Sequence, residues 1–501
     1  MTEEIRLTPK SLITKEINQE KQKILDHSDY RYLRIVQQNN GGSVTLDTNG
    51  GQESVFQIPA SQVFNFSRTD LKFTEEQSAN VGANLFVYRF CDLIPHIKRL
   101  TVMTQKGQVI LCDIPDVHKY TNAILRHETR LDEMLTNDFP SDNTGIYSGL
   151  IPPQAPTITY TPATAAAGGG AGAPVVAEVN AALASFSIGN NFNRTSGGST
   201  KNGFLEPMYY LKNATVNTKL KIYNRLPLNL FKNTILAMDK NRYFGDVIEI
   251  RITWSETANV YFIAKATAKT DPAVPPATLN LTNLELNLCV ENNIAIVNDM
   301  KKQFAEYGGF VDYVPFLYHS KQFKSGLLQH IEIDINRSQG SHIQKIMWFP
   351  SNSKEDQGVR YFHGLGEQYP DGSAAATANT NIIDFNPLLN GNPIYSSSVK
   401  CLLNEPYFLQ RNRMKGNCIT SIDDYNHNFV WYQDWTDPTP LSMKPLNKFD
   451  PDVYIDGYPL AEPVKYEIDI NFGDAAAERN HYFYISVLRE LTVNPNEIVY
   501  R

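Results

Sequence analysis

The sequence predicts an all-β protein built as two tandem halves, and three observations support this fold class. Short segments of alternating apolar and polar residues, such as 247–254 (VIEIRITW) and 330–337 (HIEIDINR), recur along the 501 residues. Turn-rich gaps of Gly, Asn, Pro and Ser separate these segments. Two long polar gaps lie at similar depths in the two halves. Many short strands joined by long excursions are typical of β-sandwiches and Greek-key barrels.

The composition fits a folded chain with a large core. Hydrophobic residues make up 42% of the sequence, aromatic residues 11% and charged residues 20%, which is a globular and not a disordered balance. The net charge is −7, and no run of Lys and Arg occurs. Because neutralisation of phosphates drives affinity for nucleic acids, we expect no direct sequence-specific binding to nucleic acid.

The five cysteines and the terminal segment indicate a reducing compartment. The cysteines are odd in number and none forms a CxxC pair, so we expect buried free thiols and not a disulfide framework. The first residues (MTEEIRLTPKSL) contain no apolar core of a signal peptide, and we expect no secretory signal. No stretch of about 18 apolar residues occurs, so we expect no transmembrane helix.

An N-terminal arm over residues 1–29 precedes the β-rich body. Residues Thr8 to Ser28 predict a helix, in which Leu12, Ile13 and Ile17 belong to a broken apolar stripe among Lys, Glu and Gln. We expect this helix to pack on the outside of the body.

The first β-rich half spans residues 30–291 and carries one long insertion. A helix is predicted over 117–137, and after it the regular pattern stops at 139–203. This insertion contains 162–174 (PATAAAGGGAGAP), whose small residues have almost no side chains to pack. Because its flanks keep some apolar residues, we expect a partly ordered excursion and not a free linker.

A linker helix and a second β-rich half complete the chain. The linker occupies 292–308, where Asn293 to Gly308 predict a helix closed by a glycine pair. The second half spans 309–501 and is interrupted by a shorter polar, Ala-rich insertion at 364–381.

Residues with catalytic or metal-binding chemistry do not form a known motif in this sequence. His342 and His363 could approach each other, but chance placement explains them better. Asp423 and Asp424 are adjacent, and adjacent strand residues point to opposite faces, so a solvated loop is the favoured interpretation. Aromatic clusters at 426–435 and 480–488 could stack sugars or bases, but in a β-sandwich they more often fill the core or an interface. We therefore predict no catalytic, cofactor or metal site.

Five segments carry a resemblance to a known family. They contain strand patterns, turns and a helix that follow one another in a characteristic order and spacing. The segments are 94–114 (IPHIKRLTVMTQKGQVILCDI), 219–254 (KLKIYNRLPLNLFKNTILAMDKNRYFGDVIEIRITW), 284–318 (LELNLCVENNIAIVNDMKKQFAEYGGFVDYVPFLY), 330–350 (HIEIDINRSQGSHIQKIMWFP) and 482–501 (YFYISVLRELTVNPNEIVYR). Together they resemble the double jelly-roll major capsid proteins of virophages, polinton-like viruses and the adenovirus-like lineage.

The resemblance implies a fold and an assembly. It implies two tandem eight-stranded jelly rolls with a few short helices, and homotrimers that act as pseudo-hexameric capsomers in an icosahedral virion shell. The implied partners are the chain itself, neighbouring capsomers, penton proteins and minor capsid proteins. The resemblance further implies that the N-terminal arm lies on the inner side, close to a membrane or the core. It also places the 139–203 loop on the virion exterior, with capsid assembly inside the host cell and no enzyme activity.

Two alternatives remain open at this point. A carbohydrate-binding β-sandwich, such as a spike or a lectin-like protein, would use the aromatic clusters. An enzyme built on a jelly roll would need a convergent acid, base or metal cluster, which the sequence does not display.

Overall fold

A computed structural model confirms the all-β prediction. It describes residues 28–39, 41–77, 85–88, 96–120, 126–128, 211–212, 221–257, 261–264, 278–306, 309–352, 382–411, 422, 425, 429–435, 457–473, 478–495 and 498–500. Of the helix predicted over Thr8 to Ser28, only Ser28 lies within the described residues. The insertions 139–203 and 364–381 lie outside them.

The first half contains thirteen described strands, several of them short. They are β1 (Tyr30–Val36), β2 (Val44–Asp47), β3 (Glu53–Ile58), β4 (Phe64–Gln77), β5 (Leu85–Tyr88), β6 (Ile97–Thr104), β7 (Ile110–Pro115), β8 (Leu211–Lys212), β9 (Lys221–Pro227), β10 (Asn241–Arg242), β11 (Ile248–Trp254), β12 (Tyr261–Ala264) and β13 (Thr278–Glu291).

The strands of the first half form two main sheets and one small sheet. The first main sheet has the order β1-β13-β4-β10, with β2 also on β13 and β9 also on β4. The second main sheet has the order β3-β11-β6-β7. Every pairing is antiparallel, and the first strand lies beside the last, as in a jelly roll. The small sheet, β12-β5-β8, is built from three excursions that leave the main sheets.

The second half contains eleven described strands. They are β14 (Phe310–Ser325), β15 (Leu328–Ile335), β16 (His342–Asn352), β17 (Ile382–Leu389), β18 (Asn392–Pro393), β19 (Val399–Lys400), β20 (Trp431–Asp434), β21 (Tyr458–Pro459), β22 (Val464–Phe472), β23 (Glu478–Val493) and β24 (Ile498–Tyr500).

The second half repeats the strand order of the first. Its first sheet has the order β14-β23-β16-β20, with β21 on β16 and β24 on β23. Its second sheet has the order β15-β22-β17-β18, with β19 on β17. In both halves the first sheet thus joins the first, last, third and sixth of the eight main strands, and the second sheet joins the remaining four. The tandem plan inferred from the sequence is therefore present at the level of strand connectivity.

A tryptophan fills the space between the two sheets of each half. Trp254 of β11 meets Phe73 of β4 edge to face, with 5.7 Å between the ring centroids. In the second half, Trp348 of β16 meets Phe385 of β17 in the same way at 5.3 Å. Both tryptophans are fully buried. In β15 the predicted alternation places Gln329, Ile331, Ile333 and Ile335 inside, as expected for a strand with one solvated face.

Helices are few among the described residues. They are α1 (Val117–Tyr120), α2 (Arg126–Glu128), α3 (Ile294–Glu306) and α4 (Glu405–Gln410). Helix α3 confirms the helix predicted in the linker. The helix predicted over 117–137 is represented by α1 and α2, and the rest of that range lies outside the described residues. No helix in the described part of the chain has the length and apolarity needed to cross a membrane.

Candidate functional site

In the part of the chain that the structure describes, polar and aromatic side chains join the two halves. Helix α1, which follows the edge strand β7, lies against the outer face of the first sheet of the second half. Tyr120 of α1 meets Tyr484 of β23 with 5.2 Å between the ring centroids, and both rings are buried. The Tyr484 hydroxyl also donates to the carbonyl of Asp116 at 3.3 Å. This contact fixes the first half against the second.

A buried ion pair crosses the same contact. Arg242 Nη1 of β10 donates to Asp312 Oδ2 of β14 at 2.6 Å, and Lys240 Nζ donates to the other oxygen at 3.0 Å. The Arg242 side chain is 1% exposed and that of Asp312 is 12% exposed. Burial alone would raise the pKa of the Asp312 carboxyl, but Arg242 and Lys240 outweigh burial and hold it below its usual value. Asp312 is therefore held as a carboxylate between two cations.

A second ion pair joins the halves through α2. Lys345 Nζ of β16 donates to Glu128 Oε1 of α2 at 3.1 Å, and both side chains are almost buried. The other oxygen, Glu128 Oε2, accepts a hydrogen bond from Asn233 Nδ2 at 2.7 Å. The neighbouring His127 is buried, and its ring lies 5.6 Å from that of Tyr432 in the second half. Helix α2 thus belongs to the first half in sequence and docks on the second.

A histidine of the second half lies at the centre of this contact. His319 Nε2 of β14 is 3.6 Å from Asp116 Oδ2, and its ring is 4.9 Å from that of Tyr484. Burial lowers the pKa of His319, although Asp116 acts in the opposite direction.

Helix α3 links the halves and packs on the first of them. Phe304 meets Tyr243 edge to face at 5.1 Å. A Cβ added at Gly245 would lie 2.8 Å from the Phe304 ring, so the close approach of this helix requires a glycine at that position. Together these contacts hold the two halves as one block through packing and charge pairing.

The residues singled out in the sequence do not assemble into a site. His342 lies at the start of β16, whereas His363, Asp423 and Asp424 lie outside the described residues. The described rings of the two aromatic clusters, among them Trp431 and Phe483, are buried in the core, except Trp435, which is partly buried. Their burial agrees with the interpretation that they fill the core or an interface.

The described residues include one cluster of potential metal ligands that the sequence did not predict. His330, Glu332 and Glu467 offer ligand atoms within 4.8 Å of one another across β15 and β22. His330 Nδ1 lies 2.7 Å from Asp469 Oδ1. Lys465 Nζ, however, pairs with both Glu332 and Glu467, at 3.1 Å from Glu467 Oε1. The ammonium group thus already pairs with both carboxylates and offsets one of their two negative charges. In the sequence, only the alternation of polar and apolar residues in two separate strands marks these residues. That pattern does not show that the two strands are neighbours.

Three cysteines confirm the prediction of buried free thiols. Cys112, Cys289 and Cys401 are free and buried. Burial raises the pKa of all three thiols, that of Cys289 to about 11. Cys91 and Cys418 lie outside the described residues.

Comparisons with known proteins identify the fold. No family model matches the sequence, and no curated protein sequence matches it. A chain in the cryo-EM structure of the Sputnik virophage superposes with a TM-score of 0.52 at 9% identity, covering 95% of this chain and 88% of that one. The chain has the double jelly-roll fold.

Two further structures are similar over most of their length. The Faustovirus major capsid protein gives a TM-score of 0.46 at 10% identity and covers 93% of this chain and 91% of its own. The mavirus major capsid protein gives 0.45 at 10% identity, with coverages of 92% and 90%. The two halves are hereafter called the first and second roll.

Proposed function

We propose that this chain is a viral major capsid protein, with rolls at 30–291 and 309–501 joined by a linker at 292–308. Three copies form a nearly hexagonal block of six rolls, and such blocks tile an icosahedral shell. The observation that carries the proposal is the repetition of one strand order in two rolls that a buried contact holds side by side. A chain of this kind provides two similar building units with a fixed geometry, which is what a tiling block needs.

The small sheet of the first roll supports a tower at one end of the block. Strands β5, β8 and β12 come from three different connections, and they pair with one another. The insertion 139–203 precedes β8 in one of these connections. We therefore assign it to the same end, which faces the virion exterior, where residues such as those of 162–174 need not fill a core.

The entry point of the N-terminal arm supports its place at the opposite end. Tyr30 of β1 pairs with Glu291, the last residue of β13, whereas the excursion containing β12 precedes the start of β13. Asn292 Nδ2, next to α3, donates to Asp29 Oδ2 at 2.7 Å. The arm 1–29 thus enters beside the linker and lies on the inner side of the shell, near minor capsid proteins, penton proteins or an internal membrane.

The proposal includes no catalytic role and no sequence-specific contact with nucleic acid. The alternative, a carbohydrate-binding spike or lectin-like protein, depends on accessible aromatic rings. Trp431, Phe483 and Tyr484 are buried and cannot stack on a sugar.

Electron microscopy and light scattering test the proposal. The purified chain should form particles of about three times its 56.6 kDa mass, and their images should have a nearly hexagonal outline. A folded chain that stays at the mass of one copy at every micromolar concentration contradicts the proposal. Removing residues up to Asp26 should leave this trimer intact but weaken the assembled shell, and shells of normal stability would contradict the inner position of the arm.

A further inference from the structure

The contact between the two rolls of one chain provides a template for a contact between two copies. In the first roll, Asp116 has a positive φ of 49° and precedes α1, whose residue Tyr120 lies four positions later. In the second roll, Asn404 has a positive φ of 57° and precedes α4, whose residue Phe408 lies four positions later. In both cases the fourth N–H donates to the carbonyl of the positive-φ residue, at 3.1 Å and 3.4 Å. The two helices therefore begin with the same local geometry.

The two helices also follow equivalent strands. Helix α1 follows β7 at the edge of the second sheet, and α4 follows β19 at the edge of the corresponding sheet, after one 3-10 turn (Cys401–Leu403). Tyr120 is 0% exposed because it packs on Tyr484 of the second roll. Phe408 is 50% exposed, and Leu403 and Leu409 next to it are also exposed. Helix α4 thus presents an apolar surface at the position where α1 is covered.

In the described part of the chain, the complementary face of the first roll is open. Strand β14 carries His319, which lies beside Asp116 at the start of α1. This strand is the first of its roll and lies beside the last strand, β23, which carries Tyr484. Its counterpart β1 lies in the same way beside β13. Tyr32 and Val36 alternate with inward residues on β1, and they are 53% and 45% exposed. The outer face of β1 therefore has the position of a receiving surface and exposed apolar side chains, and none of the residues that the structure describes covers it.

We propose that the α4 surface of one copy, formed by Leu403, Phe408 and Leu409, docks on the β1 face of a second copy, formed by Tyr32 and Val36. The contact is head to tail, because each copy has one surface of each kind, and such contacts close into a ring when the rotation allows it. This inference rests on the proposed function and names the surfaces through which the copies meet. The template for the contact is the covered α1 surface of the same chain.

Two blocking variants test the contact. Phe408→Glu places a charge on the α4 surface, and Tyr32→Glu places one on the β1 face. Each variant alone should lose the oligomer of the wild type in multi-angle light scattering and elute at the mass of one chain. A 1:1 mixture should form a species of two chains, because the intact α4 surface of one variant meets the intact β1 face of the other. The matched control is Leu328→Glu, a change at a residue that is 75% exposed outside both surfaces and that should leave the oligomer unchanged.

The possible results separate this inference from the proposed function. If the wild type is oligomeric and both variants keep its mass, the contact is wrong while self-association stands. If the mixture stays at the mass of one chain, or if the Leu328 variant also dissociates, the pairing of these two surfaces is wrong. A wild type at the mass of one copy overturns the proposed function together with this contact. A cooperative thermal transition and a wild-type circular dichroism spectrum show that a variant is folded. If one of the first two variants is not folded, Leu409→Glu and Val36→Glu form a second pair.

Discussion

Arg242 of the first roll and Asp312 of the second roll form an ion pair whose Nη1 and Oδ2 atoms are 2.6 Å apart. The two residues are separated by 70 positions in sequence, and the arginine side chain is 1% exposed. A buried ion pair is weak support for stability in itself, because desolvation offsets the attraction. Removal of only one of the two residues is costly, however, because the remaining charge is left in the interface without a partner.

The first prediction concerns this pair. Asp312→Ala should lower the free energy of unfolding by about 3–5 kcal/mol, because Arg242 remains charged and buried. Lys240→Ala is the matched control, since Lys240 binds the same carboxylate but is largely exposed, and it should cost at most about 1 kcal/mol. Urea unfolding measures both. Equal small losses would show that the pair does not hold the two rolls together.

The second prediction uses the buried His481. Trp348 Nε1 donates to His481 Nδ1 at 3.2 Å, so the proton is on Nε2, which lies 2.7 Å from Gln329 Oε1. Burial lowers the pKa of His481 to about 3, with smaller contributions from Arg479 and Lys324. In the unfolded chain the pKa is about 6.5. Between these values the unfolded state binds the proton and the native state does not, so stability falls as the pH falls.

The test compares how steeply the free energy of unfolding changes with pH, and not its absolute value. Below about pH 6, His481 should contribute a loss of about 1.4 kcal/mol per pH unit to the free energy of unfolding. His481→Asn should remove that contribution, whereas the exposed control His330→Asn should keep it. Denaturant unfolding at several pH values from 7 to 4.5 gives the slopes. A wild type and a His481 variant with the same slope would contradict the assignment.

The fold could be predicted from local patterns, but the interface could not. The alternation in 247–254 and 330–337 predicts β11 and β15, because one face of each strand is buried. The periodicity in the linker likewise predicts α3. The partners Asp312 and Arg242, by contrast, become neighbours only when the second roll is placed against the first. No property of either residue within its own strand indicates the other.

The sequence also did not predict the His330 cluster or the role of α1. His330 faces Asp469 and Glu332 faces Glu467 only through the register of β15 and β22. For α1, the pattern over 117–137 favoured a helix but did not show that Asp116 would adopt a positive φ before it. Such a conformation is uncommon for residues other than glycine, and Asp and Asn are among those that adopt it more readily.

The third prediction concerns the insertion. Deletion of Ala163 to Ala173, which lies outside the described residues, should leave folding and self-association nearly unchanged, because these small side chains can bury little apolar area. The contrasting variant deletes Val247 to Trp254, which removes β11 from between β3 and β6, and it should abolish folding. Circular dichroism and light scattering distinguish the two results. If the loop deletion unfolds the chain as completely as the strand deletion, this segment has a structural role that its composition does not indicate.

The fourth prediction concerns the junction between α3 and β14. Gly309 has a φ of +108°, and a Cβ added there would lie 1.8 Å from the carbonyl oxygen of Val493. Gly326, at the end of β14, has a φ of +105°, but an added Cβ would meet nothing within 4 Å. The two glycines therefore have nearly the same φ and differ in the space around them.

Alanine substitution at these two glycines separates strain from steric clash. Gly326→Ala should cost about 1–2 kcal/mol, the ordinary penalty for a side chain in a left-handed conformation. Gly309→Ala should cost about 1–3 kcal/mol more, because the backbone around Val493 must move to admit the methyl group. Urea unfolding of both variants gives the difference. Equal losses would mean that Gly309 is required only for its φ, and that the start of the second roll can shift away from the end of β23 without cost.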